Sequence, residues 1–233
     1  MLVSFYACLV LINLIVVSQQ QSTNFILGLG DSFTSNGGSS GSYPRVAANL
    51  LNWQARNYAV GGSRTGNIPT QLSSAASVLN NVTHIVFTTG GNDIGLTNSI
   101  QEVIVNNNYA VVENKVIALK PQLVFTYKLI KGAVRPHTKI YALPYVDLVD
   151  DYSAVPNGGE VSRLMNFFAD TIKGAAFEAG IEFIEPMRNA FAGHGMFSDD
   201  PYCGGLTGSN SGHPNTKGYY RMGEVVADYL KNN

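Results

Sequence analysis

The sequence predicts a three-layer α/β/α sandwich built around a parallel, five-stranded sheet. Short apolar runs alternate along the chain with amphipathic stretches of helical period, which is the pattern of strands joined by covering helices. The apolar runs lack strict alternation, as expected for strands that are buried on both faces. The chain has 233 residues, of which 45% are hydrophobic and 13% charged, and this composition suits one domain with a full-sized core.

The first strand is predicted where an apolar run from Phe25 to Gly30 meets a small, polar turn. Asp31, Ser32 and Thr34 follow at the carboxyl end of this strand. In open α/β sheets, ligands bind at the carboxyl edge. A serine on a tight turn there can present its hydroxyl to a substrate, so Ser32 is a candidate nucleophile.

The later elements follow from the same two periodicities. Further strands are predicted at 53–60, 83–89, 139–146 and 181–184, and helices at 43–51, 68–79, 161–179 and around 222–230. Gly180 is the expected C-cap of the third of these helices. Apolar residues also recur at helical spacing from 99 to 134, with Pro121 between them, which predicts either two helices or one kinked helix.

Composition and motif spacing exclude several classes of function. The net charge is −1 with lysines and arginines scattered singly, so no surface for nucleic acid is expected. Gly28 and Gly30 begin like a dinucleotide motif, but Phe33 stands where the third glycine belongs. The chain has no C-x-x-C or H-E-x-x-H spacing, so neither a metal nor another cofactor is expected.

The N-terminal residues have the features of a secretory signal. Residues 1–18 are almost wholly apolar and end in small residues, which predicts cleavage after Ser18 and a single domain over 19–233; the alternative is an uncleaved anchor. Secretion would leave Cys203 as a free thiol or an intermolecular partner. Asn81-Val-Thr83 would be a glycosylation acceptor on a eukaryotic secretory route, and no stable membrane insertion is expected after cleavage.

Four places in the chain supply the parts of an acyl-transfer site. Such a site needs a nucleophile, a base for its proton, and donors aimed at the developing oxyanion. Ser32 ends the first strand, Gly62 follows the second, Asn92 follows the third, and His213 precedes the last helix. Because the carboxyl ends of parallel strands share one edge, the first three are expected to converge.

These residues resemble the sequence blocks of the SGNH, or GDSL-type, hydrolase family. The matching blocks, in order between residues 30 and 215, are Gly30-Asp-Ser32, Asn57-Tyr-Ala-Val-Gly-Gly62, Gly90-Gly-Asn-Asp93 and His213-Pro-Asn215. The resemblance implies a flavodoxin-like sheet, Ser32 as nucleophile and His213 as general base. It also implies an oxyanion hole made by the N–H groups of Ser32 and Gly62 and the side chain of Asn92.

The chain departs from the family at the acidic residue that orients the histidine. The family usually has Asp three residues before the histidine, where this chain has Asn210. A neutral amide can hold the imidazole tautomer but cannot stabilise the imidazolium. We therefore expect the carbonyl or the side chain of Asn210 to orient His213, with Asp199 or Asp200 as alternatives. His194 is the competing candidate for the base, and Asp31 and Asp93 are expected only to brace their turns.

The resulting expectation is a secreted, cofactor-independent serine esterase or lipase that acts on small-molecule or lipid esters. Two alternatives remain open: a glycan- or lipid-binding module that retains the fold, and an acyltransferase that uses the same residues. Seven apolar residues are expected near the mouth of the site, where they favour an acyl chain: Tyr43, Ile94, Leu96, Phe191, Met196, Phe197 and Tyr202.

Overall fold

A computed structural model describes residues 24–36, 41–205 and 211–233. The predicted signal peptide and Asn210 lie outside these ranges. The strands form one parallel sheet in the order β2-β1-β3-β4-β5. Their bounds are β1 Phe25–Gly30, β2 Gln54–Asn57, β3 His84–Thr88, β4 Lys139–Ala142 and β5 Glu182–Phe183. The predicted five-stranded parallel sheet is confirmed.

Eight α-helices are described, and those that pack on the sheet cover both of its faces, which confirms the α/β/α sandwich. One face carries α2 and α8, which pack together over β1 and β2, and the other carries α6 and α7 with α3 and α5 beside them. The bounds are α1 Ser32–Ser35, α2 Tyr43–Leu51, α3 Ile68–Ser74, α4 Gly91–Ile94, α5 Leu96–Asn106, α6 Tyr109–Gly132, α7 Gly158–Ala179 and α8 Thr216–Asn232.

The central strand β1 is buried along its whole length and ends at a residue that has to be glycine. Gly30 has φ +109°, a left-handed conformation that side chains disfavour. A Cβ there would lie 1.9 Å from the carbonyl oxygen of Thr88 on β3. The backbones of β1 and β3 therefore approach closely at the edge where Ser32 follows.

The long helical stretch consists of two helices, and its break is not at the proline. Asn107, with φ +50°, ends α5 and donates its N–H to the carbonyl of Val103. Pro121 lies inside α6, on its exposed side. A proline removes one helical hydrogen bond, but the buried face of α6 packs along α7 and maintains the helix through that position.

Several predicted elements are shorter in the structure. β2 ends at Asn57, although the N–H groups of Tyr58 and Val60 still donate to carbonyls of β1 at 2.9 and 3.1 Å. The chain then turns away at the glycine pair that follows. α3 ends at Ser74 rather than at 79. The predicted cap of α7 is confirmed, since Gly180 has φ +67°.

Three further features bear on the sequence predictions. Cys203 is buried, and its thiol donates to the carbonyl of Leu148 at 3.3 Å. This burial favours a free thiol over an intermolecular disulfide. Burial, with a smaller effect of Asp147, raises the pKa of Cys203 to about 11. Asn81 is exposed. Among the described residues no helix is long and apolar enough to span a bilayer.

Candidate active site

The candidate nucleophile lies on a turn that is held from two sides. Asp31 is the N-cap of α1 and accepts the N–H of Phe33 at 3.1 Å, so Ser32 is the first residue of this short helix. On the opposite side, the hydroxyl of Tyr219 on α8 donates to the carbonyl of Ser32 at 2.9 Å.

The structure brings the predicted nucleophile and base together. The Oγ of Ser32 lies 2.8 Å from Nε2 of His213, although the two residues are 181 positions apart in the chain. The carbonyl of His213 accepts the N–H of Gly204 at 2.9 Å, which ties the histidine segment to the preceding loop. The ring of Phe33 lies against the imidazole with centroids 5.3 Å apart. The imidazole is thus fixed by its backbone and by ring packing.

The second nitrogen of His213 meets a main-chain carbonyl. Nδ1 lies 2.9 Å from the carbonyl oxygen of Ser211. Because a carbonyl can only accept, Nδ1 carries the proton and Nε2 is left as an acceptor for the Ser32 hydroxyl. The sequence reasoning named the residue before, Asn210, which lies outside the described residues. The expected partners included the main-chain carbonyl of Asn210, and the carbonyl at Nδ1 belongs to the next residue, Ser211.

The other acid and base candidates are engaged elsewhere. Asp200 forms a short ion pair with Lys217, and Asp199 is an exposed loop residue. His194 stacks on Tyr202 with ring centroids 3.8 Å apart, and its Nδ1 lies 2.9 Å from the carbonyl of Asp200. His194 thus belongs to the packing of its own loop rather than to the Ser32 site.

The predicted oxyanion donors come from three turns, and the turns that carry Gly62 and Asn92 are hydrogen-bonded to each other. The side-chain N–H₂ of Asn92 donates one hydrogen to the carbonyl of Ser63 at 2.9 Å, which leaves its second hydrogen available. Asp93 accepts the N–H and the hydroxyl of Thr65, as expected of a bracing residue. Within the part of the chain that the structure describes, neither the N–H of Ser32 nor that of Gly62 has an acceptor.

The glycine pair after β2 faces the nucleophile. A Cβ on Gly61 would lie 3.8 Å from the Cβ of Ser32, so this turn passes directly beside the serine. Gly62 has φ +78°, and the space where its side chain would stand is open. No atom of the described residues therefore covers the backbone of residue 62 on that side.

A buried carboxylate lies directly behind the nucleophile turn. Asp31 is 1% exposed and accepts hydrogen bonds from the hydroxyls of Thr88, at 2.8 Å, and of Tyr145, at a short distance. Burial raises the pKa of Asp31 to about 6, and these hydrogen bonds together with the charge of His213 oppose that rise. The Tyr145 oxygen also accepts the N–H of Gly91 at 2.8 Å. The nucleophile turn and the Asn92 turn are thereby joined.

Sequence reasoning missed Tyr145, although a signal was present. The residue follows Pro144 shortly after the end of β4, at the same carboxyl edge as Ser32. The apolar residues expected at the mouth were partly wrong, because Tyr43, Ile94 and Phe191 are buried in the core. Phe197 is 51% exposed and remains available to a ligand.

The parallel sandwich with a serine–histidine pair at the carboxyl edge of its sheet has the arrangement that serine hydrolases use. Comparison with known protein families then identifies the family. A model of the GDSL-like lipase and acylhydrolase family matches residues 29–221, and the chain belongs to this family. It is accordingly a carboxylic ester hydrolase of the GDSL type. A search of curated proteins finds no match.

Solved structures with a similar fold include three characterised ester hydrolases. The extracellular lipase of Streptomyces rimosus is 22% identical with a TM-score of 0.74, covering 88% of this chain and 99% of that one. Phospholipase A1 of Streptomyces albidoflavus is 19% identical with a TM-score of 0.70 and coverages of 90% and 99%. The acetylxylan esterase Axe2 of Geobacillus stearothermophilus is 14% identical with a TM-score of 0.60 and coverages of 89% and 94%.

Proposed function

We propose that the chain is a secreted serine esterase or lipase that uses Ser32 as nucleophile and His213 as general base. The observation that carries this proposal is the 2.8 Å separation of Ser32 Oγ and His213 Nε2 at the carboxyl edge of the sheet. This distance is within reach of direct proton transfer. The Ser211 carbonyl at Nδ1 supports it further, because it selects the tautomer in which Nε2 is the base.

The reaction proceeds in two halves. Ser32 Oγ attacks the ester carbonyl carbon while its proton moves to Nε2 of His213. The imidazolium then gives this proton to the departing alkoxide, and an acyl-enzyme remains. A water molecule attacks the acyl carbon with transfer of its proton to Nε2, and the acid leaves as Ser32 recovers its proton.

Three donors would stabilise the negative oxygen in both halves. The N–H of Ser32, the N–H of Gly62 and the second side-chain hydrogen of Asn92 come from separate turns at the same edge. The bond from Asn92 to the Ser63 carbonyl supports this role, because it fixes the amide beside the turn that carries Gly62. Removal of one such donor typically lowers kcat by roughly 10²–10³-fold.

We propose lipid-like esters as the substrate class and secretion as the route. The similar structures with the two higher TM-scores are a lipase and a phospholipase, and the acetylxylan esterase scores lower. The exposed ring of Phe197 offers an apolar contact for an acyl chain. The Streptomyces rimosus lipase is extracellular, which agrees with the apolar residues 1–18 of this chain as a signal peptide.

The nucleophile is tested by replacing Ser32 with Ala and measuring turnover of a short-chain chromogenic ester. We expect a loss of at least about 10⁴-fold in kcat, because no acyl-enzyme can form. Ser35→Ala is the matched control, since Ser35 lies on the same helix and its hydroxyl has no partner among the described residues. A fluorophosphonate should label wild type and Ser35→Ala but not Ser32→Ala.

The outcomes separate the proposed function from its alternatives. A folded wild-type chain that binds lipid or glycan but takes no label is a binding module, and the proposal is then wrong. Label retained by Ser32→Ala would assign the nucleophile to another residue. With the active protein, a series of nitrophenyl esters from acetate to decanoate tests the substrate class. Highest kcat/KM at acetate would contradict the lipid assignment.

A further inference from the structure

The buried carboxylate of Asp31 has no part in the reaction described so far. It precedes the nucleophile directly, and it is the acceptor of three hydrogen bonds, from the Phe33 N–H and from the hydroxyls of Thr88 and Tyr145. Burial raises the pKa of Asp31 to about 6, and these donors oppose the rise, so the carboxylate is charged at neutral pH.

The base lacks a charged partner where serine hydrolases usually have one. In the described part of the chain, Nδ1 of His213 meets only the neutral carbonyl of Ser211. A carbonyl fixes the tautomer, but it does not offset the positive charge that His213 acquires when it takes the Ser32 proton. A negative group in the low-dielectric interior nearby would meet that need, even without touching the ring.

We propose that Asp31 is a positioning residue whose negative charge, held beneath the nucleophile turn by Thr88 and Tyr145, stabilises the imidazolium of His213. This inference rests on the proposed serine hydrolase function. The carboxylate acts through His213 and touches neither the substrate nor the reacting atoms. Its effect is on the proton transfer, and its charge is present in the resting enzyme before substrate binds.

The surroundings of Asp31 support an electrostatic role. The charge of Asp31 interacts with five titratable groups: Tyr43 on α2, Tyr127 on α6, Tyr145 after β4, Tyr219 on α8, and His213. Burial is the first cause in each of these tyrosines, and it raises their pKa values, so they stay neutral. His213 is the member of this set that takes up a proton in the reaction, and its positive charge lowers the pKa of Asp31.

Two substitutions distinguish this role from simple bracing, because they move the pH profile in opposite directions. Asp31→Asn keeps the shape and an acceptor for the Phe33 N–H but removes the charge. We expect kcat to fall about tenfold with KM unchanged, and the acidic limb of kcat/KM to move to lower pH. The limb moves down because the imidazole loses the charge that favours its protonated form.

Tyr145→Phe is the converse variant, since it keeps the carboxylate and removes one of its donors. Loss of that hydrogen bond raises the pKa of Asp31, so the acidic limb should move up by about one pH unit. Above the limb, kcat should be higher than in Asp31→Asn, because the charge is restored there; the remaining loss relative to wild type is that of the Gly91 N–H, which loses its acceptor. Thermal unfolding of each variant is measured first to establish that it is folded.

The results separate the inference from the function on which it rests. The role of Asp31 is supported if the acidic limb moves down in Asp31→Asn and up in Tyr145→Phe. An active wild type whose variants lose rate without moving the limb, or move it in the same direction, overturns the inference and leaves the hydrolase in place. If Asp31→Asn does not fold, an unshifted limb in Tyr145→Phe has the same meaning. A wild-type protein with neither ester turnover nor fluorophosphonate labelling would overturn both the proposed hydrolase function and the inference about Asp31.

Discussion

At the scale of single residues, the candidate site depends on a few polar contacts made across long sequence separations. Residue type and spacing predict Ser32 as nucleophile and His213 as base, and the two side chains lie 2.8 Å apart. The partner of Nδ1 was harder to predict, because any residue before the histidine carries a carbonyl and only the backbone path selects Ser211. Tyr145 was missed for a similar reason: its hydroxyl matters through Asp31, and that pairing exists only in three dimensions.

Replacement of Asn210 tests whether a main-chain carbonyl is sufficient to orient the base. Since Ser211 supplies the atom at Nδ1, Asn210→Ala should keep kcat and KM on a chromogenic ester within about threefold of wild type. Asn92→Ala is the comparison, with an expected loss of about 10²-fold. A fall in kcat of Asn210→Ala comparable to that of Ser32→Ala would show that the amide side chain takes part.

At the scale of elements, the periodicity of apolar residues predicted where helices and strands lie, but it predicted their first and last residues less well. Pro121 suggested a break, yet α6 continues through it because its buried face packs on α7. The break is set instead by Asn107 in a left-handed conformation, which no apolar pattern reveals. The short helices α1 and α4 were read as turns, because four residues cannot show a helical period.

His84, the first residue of β3, makes the stability of the folded protein depend on pH. It is buried between the rings of Trp53 and Tyr141, and its Nδ1 lies 2.8 Å from the hydroxyl of Thr83. Burial, aided by the charge of Lys139, lowers the pKa of His84 from 6.5 to about 4. Because the folded state disfavours the proton, its contribution to stability is present above pH 6.5 and is lost as the pH falls towards 4.

A His84→Phe variant isolates this contribution, since it keeps a ring between the two aromatic neighbours and removes the titration. The wild type should lose roughly 2 kcal/mol more of its free energy of unfolding than the variant between pH 7 and pH 5. Urea unfolding at the two pH values measures the difference. Asp31, whose raised pKa favours the folded state on acidification, is common to both proteins and cancels. Equal losses in the two proteins would mean that His84 titrates normally.

At the scale of the whole molecule, the two edges of the sheet are used differently. The carboxyl edge carries the candidate site on four separate turns, and the amino edge carries closely packed rings and the exposed turn at Asn81. Ligands bind at the carboxyl edge of parallel sheets, and the sequence predicted a site at this edge once the strands were assigned a common direction. A modification at the amino edge is therefore remote from the chemistry.

Asn81 allows the predicted secretory route to be tested without affecting the site. Expressed with its own N-terminal residues in a eukaryotic host, the protein should reach the medium and shift in mass on treatment with a peptide N-glycosidase, because Asn81 begins a sequon and is exposed. Asn81→Gln should abolish the shift, and Asn80→Gln, one residue earlier on the same exposed turn, should retain it. Ester turnover should be equal in all three proteins, since the turn lies at the amino end of β3. Protein confined to the cell, or secreted protein of unchanged mass, would contradict the glycosylated, secreted form.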